Sequence, residues 1–382
     1  MKSRFPILAT LSMAIALVLS AGLMFSQNNA GPAAKGPAGK GFGGAKASGV
    51  PIKGKVEKIT VHGKSLEGNL EGDSADRDVF VYLPPSYAAQ ANRRYPVVYF
   101  LHGYGIGAEA YWNIMTAPQS AEAAFAAGAR EMILVHPDSF TIHNGSMYSN
   151  SPTTGDWEGF VTEDLISYID SHYRTVANRA SRGLAGHSMG GYGAFRIGMK
   201  HPEMFSSLYP MSSCCLMNNP NSGLGGAQAK GKGGDDAKAK QPPADAAKAA
   251  PKGKGKGKGG GTTPALAAAW SPNPNNPPDY YDLPVVNGEY RHEIGAKWYA
   301  NSPLAMVDQY WTNLKKYKAI MMDIGLQDGL LGGNRDMDAS LTRLGVKHVY
   351  ETYEGDHTNR VRERFETKVL PFFSQNLDFP AR

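Results

Sequence analysis

Gly183-Leu184-Ala185-Gly186-His187-Ser188-Met189-Gly190-Gly191-Tyr192-Gly193 is the stretch on which the reading of this chain turns. Its centre is G-x-S-x-G, with Ser188 in the middle. A serine in that setting stands on a tight turn between a strand and a helix, and its hydroxyl projects above the sheet. The glycines two residues to either side are needed because the backbone doubles back there and a Cβ would clash. The flanks supply the context that the pattern requires. Residues 181–186 are short and apolar enough for a buried strand. Residues 191–200 carry Ala194, Phe195, Ile197 and Met199 and stop at His201-Pro202. Proline disfavours helical geometry in the residue before it, so the helix ends there. Strand, turn and helix are all present, which separates this serine from a bystander in a glycine-rich turn.

Working outward, the pattern predicts strands at 56–62, 78–83, 95–101 and 131–135 before the turn, and at 206–211, 319–324 and 347–353 after it. The runs YPVVYFL (95–101) and EMILV (131–135) are continuously apolar, as strands buried on both faces of a sheet are. Helical spacing is expected over 109–127, 160–173, 334–344 and 358–376. Eight strands interleaved with helices predict an α/β fold whose sheet is mostly parallel and covered on both faces. In such sheets the loops past the carboxyl ends of the strands carry the chemistry.

Not all of the 382 residues suit a globule. Residues 1–30 open with Lys2 and Arg4 and continue into a long apolar run, the layout of a signal peptide, with a membrane anchor as the alternative. Residues 31–55 are rich in Gly, Ala, Pro and Lys and read as a flexible tether. Residues 216–278 contain AAPKGKGKGKGGG and read as a Lys/Gly-rich disordered insertion, too poor in apolar surface to offset its ordering entropy. The expected organisation is therefore a leader, a tether, and one catalytic domain over 56–382 interrupted by 216–278. These three segments carry +2, +5 and +6, so the remainder carries −7 within a total of +6. The basic balance thus describes the low-complexity segments, whose lysines suit weak contact with anionic envelope polymers. They lack the interleaved aromatics of a base-stacking surface, so no specific nucleic-acid partner is expected. The only cysteines, Cys214 and Cys215, are adjacent, and a structural cross-link is not expected from them. No Cys/His cluster has metal-ligand spacing, and no cofactor is expected.

Serine is a weak nucleophile at neutral pH and needs a base. In folds of this kind the chain order is serine, then acid, then histidine. Asp328 follows the 319–324 strand in Gly325-Leu326-Gln327-Asp328-Gly329, and His357 follows the 347–353 strand in Glu354-Gly355-Asp356-His357. Two loops past successive strands place Asp328 to orient His357 and His357 to take the Ser188 proton. Asp323 reads as part of its strand, Asp336 and Asp338 as helix surface, and Asp356 as too close to His357 to orient it. Developing negative charge needs preorganised donors. The candidates are the N–H of Met189 and that of Tyr104, in the loop after the 95–101 strand. His102 reads as a prop for that loop, and His187 as pointing away. Tyr148, Asn150 and Trp157, in a polar loop, are candidate substrate contacts.

The sequence resembles the esterase D and feruloyl-esterase-like branch of the α/β-hydrolases, which includes trehalose mycolyltransferases. The resemblance lies in VFVYLPPSY (79–87), YPVVYFLHG (95–103), MYSNS through WE (147–158), LAGHSMGGYGAF (184–195), GLQDG around Asp328 and EGDH ending at His357. It implies an α/β-hydrolase fold, a Ser188-Asp328-His357 triad and oxyanion donors at Tyr104 and Met189. The 216–278 insertion departs from the family pattern, as does Thr358-Asn359-Arg360 after the histidine, where many members soon carry an aromatic residue. The expectation is an exported serine carboxylic-ester hydrolase for small-molecule or carbohydrate esters with short acyl, acetyl or feruloyl groups. Its rivals are an acyltransferase of the mycolyltransferase type using the same triad, and a non-catalytic envelope-binding protein.

Overall fold

The computed structural model describes residues 49–219 and 261–380. The expected leader, most of the tether and the centre of the insertion lie outside the described residues.

All eight expected strands are present, each boundary within about two residues of its expected place. They are β1 (Lys55–His62), β2 (Asp76–Leu83), β3 (Val97–Leu101), β4 (Ile133–Pro137), β5 (Arg182–His187), β6 (Ser207–Met211), β7 (Ala319–Gly325) and β8 (Val349–Tyr353). They form one sheet in the order β1-β2-β4-β3-β5-β6-β7-β8. β2 runs antiparallel to both β1 and β4, and every other neighbouring pair is parallel. The central strands β3, β4 and β6 are buried along their whole length, which is why they read as apolar runs without alternation. Two apolar clusters, one on each face of the sheet, make the core.

Two expectations are corrected. The single helix over 109–127 is two, α1 (Ala108–Ile114) and α2 (Ala117–Ala126), broken at Thr116, whose φ of 43° is left-handed. Helical spacing survives such a break, because both halves bury their alanines on the same side of the sheet. The second correction concerns 216–278. Its last part is folded: Thr263–Trp270 is a helix with Ala265 through Trp270 buried. Trp270 stacks obliquely on Tyr192, with ring centres 5.4 Å apart, and meets Trp298 edge-on at 6.0 Å. Ser151 Oγ donates to the carbonyl of Ala268 (2.5 Å). TPALAAAW holds enough apolar surface to pack once it reaches this aromatic site, although its composition blends with the low-complexity run before it. Two further helices, His292–Ala300 and Pro303–Leu314, lead into β7.

Candidate active site

The helix after β5, α3 (Met189–Lys200), begins immediately at Ser188, which adopts φ 59° and ψ −113°. That conformation is sparsely populated for a residue with a Cβ and persists only where its surroundings over-determine it. Here they do. The Ser188 N–H donates to Met211 O (3.0 Å), and Ser188 O accepts from Cys214 N–H (3.1 Å), so the end of β6 and the loop just past it both hold the turn. A Cβ on Gly186 would lie 2.9 Å from the Gly190 Cα and closer to its carbonyl. A Cβ on Gly190 would lie 2.5 Å from the Leu101 carbonyl carbon. Both glycines are therefore required by close backbone approach, as the motif implied.

The acid and base arrive from two loops joined to each other. Leu326 N–H donates to Tyr353 O (2.8 Å) and Gln327 N–H to Gly355 O (3.0 Å). The Gln327 side chain accepts from Gly355 N–H (2.8 Å) and donates to Glu354 (2.9 Å). This places Asp328 Oδ2 2.8 Å from His357 Nδ1, and His357 Nε2 2.9 Å from Ser188 Oγ. Burial would raise the Asp328 carboxyl. Hydrogen bonds from His357 and the Leu330 N–H, with the attraction of His357, outweigh it and hold Asp328 below the usual carboxylate range. Asp328 is thus ionised at neutral pH. Because a carboxylate only accepts, His357 Nδ1 carries the proton and Nε2 is left bare toward the serine hydroxyl. Asp356 caps its own turn instead, accepting from Thr358 N–H and Asn359 N–H, both at 2.8 Å.

The loop after β3 runs alongside the nucleophile. A Cβ on Gly103 would sit 3.5 Å from the Ser188 Cβ. The Met189 N–H is the first of α3 and has no helical acceptor. Neither it nor the Tyr104 N–H finds an acceptor elsewhere among the described residues. His102, fully buried, accepts the Ser139 N–H at Nε2 (2.8 Å) and faces Gly103 O with Nδ1 (2.8 Å). Burial lowers its pKa, so it is neutral and props the loop, as expected. Next to it His136 is also buried and neutral, pushed down to about 3 by burial and by His102. The following loop is held by Asp138, which accepts from the Ala108 N–H (2.7 Å) and pairs with Arg77 (2.9 Å). Its tip, Gly145, presses on the Met189 and Tyr104 side chains. On its outer side Asp73 accepts the Ile142 N–H (3.1 Å), and Glu71 lies 3.3 Å from His143 Nε2. Burial, then the adjoining Asp73 carboxylate, push Glu71 up to about 9.

The candidate substrate contacts do not gather here. Tyr148 is fully buried; it packs on Gly193, and its hydroxyl donates to His102 O (3.2 Å). Trp157 is 1% exposed, with its indole N–H on Thr154 O (2.8 Å). Both belong to the core, since a polar loop sequence conceals how deeply its aromatics are inserted. Asn150 is exposed and lines a small cavity with Glu158, Lys200 and His201, at the far end of α3, about 18 Å along the helix from Ser188. The sequence reading passed over Asn334, whose amide brackets Ser213 through both main-chain atoms (3.2 and 2.9 Å), and gave His187 no role beyond pointing away from the nucleophile. Only contacts across the fold distinguish them. Tyr104 also donates to Gly261 O (3.1 Å), where the described chain resumes.

A mostly parallel eight-stranded sheet with a glycine-flanked serine turn at its centre, and an acid and a histidine beyond later strands, defines the α/β-hydrolase fold. The chain belongs to the family described as "Putative esterase", whose model matches residues 74–368. It is 32% identical over 133 residues to Esterase Rv1288 of Mycobacterium tuberculosis, which covers 34% of this chain and 27% of that protein. It is 26% identical over 171 residues to an endo-1,4-beta-xylanase/feruloyl esterase of Xylanibacter ruminicola, covering 41% of this chain and 23% of the relative. The matched part is thus about a quarter of each curated relative. Among solved structures, a ferulic acid esterase superposes with a TM-score of 0.59 at 22% identity, over 86% of this chain and 100% of that one. An S-formylglutathione hydrolase from Agrobacterium tumefaciens superposes with 0.54 at 17% identity, over 86% and 98%. At these identities the structures speak for the fold.

Proposed function

We propose that this protein is a serine carboxylic-ester hydrolase working through an acyl-enzyme on Ser188. The observation that carries the reading is the unbroken line from Ser188 Oγ to His357 (2.9 Å) to Asp328 (2.8 Å) on a strained turn. Ser188 Oγ attacks the acyl carbon while His357 Nε2 takes its proton. The tetrahedral oxyanion is held by the Met189 and Tyr104 N–H groups. It collapses, His357 returns the proton to the leaving alcohol, and the acyl group stays on Ser188. A water, deprotonated by the same nitrogen, then attacks the acyl-enzyme and releases the acid. Asp328 stays ionised throughout and stabilises the imidazolium. The His357 side chain is 34% exposed, so an acceptor can approach the acyl-enzyme from solvent. Small acyl, acetyl or feruloyl esters, including those of carbohydrates, are the substrates of this reading, since the relatives include a feruloyl esterase. Export by residues 1–30 belongs to the same proposal, and the mass of the mature N-terminus tests it.

The activity test is turnover of p-nitrophenyl acetate by the unmutated protein and by Ser188→Ala, with fluorophosphonate labelling alongside. Turnover and labelling that both vanish in the alanine variant are expected. An inactive unmutated protein, or a fully active variant, overturns the reading.

A further inference from the structure

His187 ends β5, one residue before the nucleophile, and is 2% exposed. The mechanism above leaves it without a task. Its ring centre lies 4.7 Å from that of His357, and its Nε2 is 2.7 Å from the main-chain oxygen of His357. A carbonyl oxygen only accepts, so Nε2 carries the proton and donates. Nδ1 is then a bare acceptor, buried with no donor to meet it among the described residues. An unsatisfied buried acceptor is unfavourable. An apolar side chain of similar size would fill the space without that cost. Packing alone therefore does not account for an imidazole here, whereas its one hydrogen bond does.

The place of that bond in the fold gives it meaning. β5 carries the nucleophile and β8 leads to the base, with β6 and β7 between them. The ties holding the base loop in place run mainly to the acid loop, through Gln327, Leu326 and Asp328. Among the described residues, two hydrogen bonds join the segment around His357 to the β5 end itself. One is the reactive contact with Ser188 Oγ, remade in every turnover. The other is the bond from His187.

We propose that His187 is a positioning residue, which ties the main chain of His357 to the nucleophile's own strand and so sets the distance between His357 Nε2 and Ser188 Oγ while the proton moves. This rests on the hydrolase reading above. Burial, and then the neighbouring His357, push His187 down to about 3, so it stays neutral through the cycle. It therefore neither competes for the serine proton nor repels the imidazolium of His357. Displacing a base by about 1 Å costs on the order of 100-fold in rate, so the loss of this tie belongs in kcat.

The test compares His187→Leu with His187→Gln, whose amide N–H reaches about as far as Nε2. Competent sites are titrated with a fluorophosphonate, and kcat and KM for p-nitrophenyl acetate are expressed per titrated site. The expected result is a kcat for His187→Leu lowered about 10- to 100-fold with KM within two-fold, and recovery in His187→Gln to within about three-fold of the unmutated protein. If the leucine variant yields no titratable sites, His187→Asn, too short to reach the carbonyl, replaces it. The proposal fails if the variant lacking the donor keeps kcat per site within two-fold, or if it and His187→Gln behave alike. An unmutated protein that neither turns over nor labels would sink the hydrolase reading itself, and this inference with it.

Discussion

Gly190→Ala places a methyl group 2.5 Å from the carbonyl carbon of Leu101 and 3.0 Å from His102 O. These are backbone atoms at the end of β3, so no side chain can swing aside to make room. Comfortable carbon contacts need about 3.5–4.0 Å, so the strand end or the helix start must retreat by about 1 Å. The two parts that would separate carry the two proposed oxyanion donors, Tyr104 on one side and Met189 on the other. Misplacement on this scale costs about 100-fold in rate, and outright loss of one donor about 100- to 1000-fold. The stability cost of overpacking is smaller, about 1–3 kcal/mol, or roughly 2–4 °C in Tm per kcal/mol for a domain of this size. The expected phenotype is a folded protein with kcat reduced at least about 100-fold and Tm lowered by several degrees. Steady-state kinetics on p-nitrophenyl acetate and a thermal melt read both. Gly329→Ala is the matched control, because Gly329 adjoins Asp328 yet has open space around its missing Cβ. It should stay within two-fold of the unmutated kcat. A Gly190→Ala variant with more than a tenth of the original kcat and an unchanged Tm would refute the close-approach argument.

Two further predictions concern pH. Glu71 is raised to about 9 from 4.5, so its protonated form stabilises the fold below pH 4.5 and that stability is lost as pH climbs toward 9. Glu71→Gln should therefore gain on the unmutated protein with rising pH, by up to about 1.4 kcal/mol per unit, in urea unfolding at pH 6, 7 and 8. A difference that does not move with pH contradicts the buried neutral carboxyl. His136 is lowered to about 3 from 6.5, so its neutral form favours the fold above pH 6.5 and this is lost as pH falls toward 3. The stability cost of His136→Gln should then shrink as pH drops from 7 to 5, by about 2 kcal/mol in the same assay. A constant cost would show that the imidazole is not held neutral.

Most of the fold was legible because the strands are short, apolar and well punctuated. Runs such as Val97–Leu101 and Ile133–Pro137 leave no helical alternative of that length. Ser188, Asp328 and His357 were legible because each sits in a glycine-flanked turn just past a strand, and topology brings such turns to one edge. The break at Thr116 was hidden, since alanine spacing does not record a single left-handed residue. The helix Thr263–Trp270 was hidden by its neighbours' composition, and its order comes from Tyr192, Trp298 and Ser151, all distant in sequence. Tyr148 and Trp157 were misjudged because burial in a polar loop is decided by partners such as Gly193 and Thr154. His187 carries no local signal at all, since its partner lies 170 residues further on.

The three aligned residues also divide unevenly along the chain. Ser188 precedes positions 220–260, while Asp328 and His357 both follow them, and β6 meets β7 across that division. On the proposed mechanism, a protein cut within 220–260 would carry its nucleophile on one fragment and its acid and base on the other. Neither fragment could turn over substrate by itself. If the hydrolase reading holds, ester hydrolysis by the mixed halves would report their reassociation, with re-formation of the β6–β7 seam as the event that restores the signal.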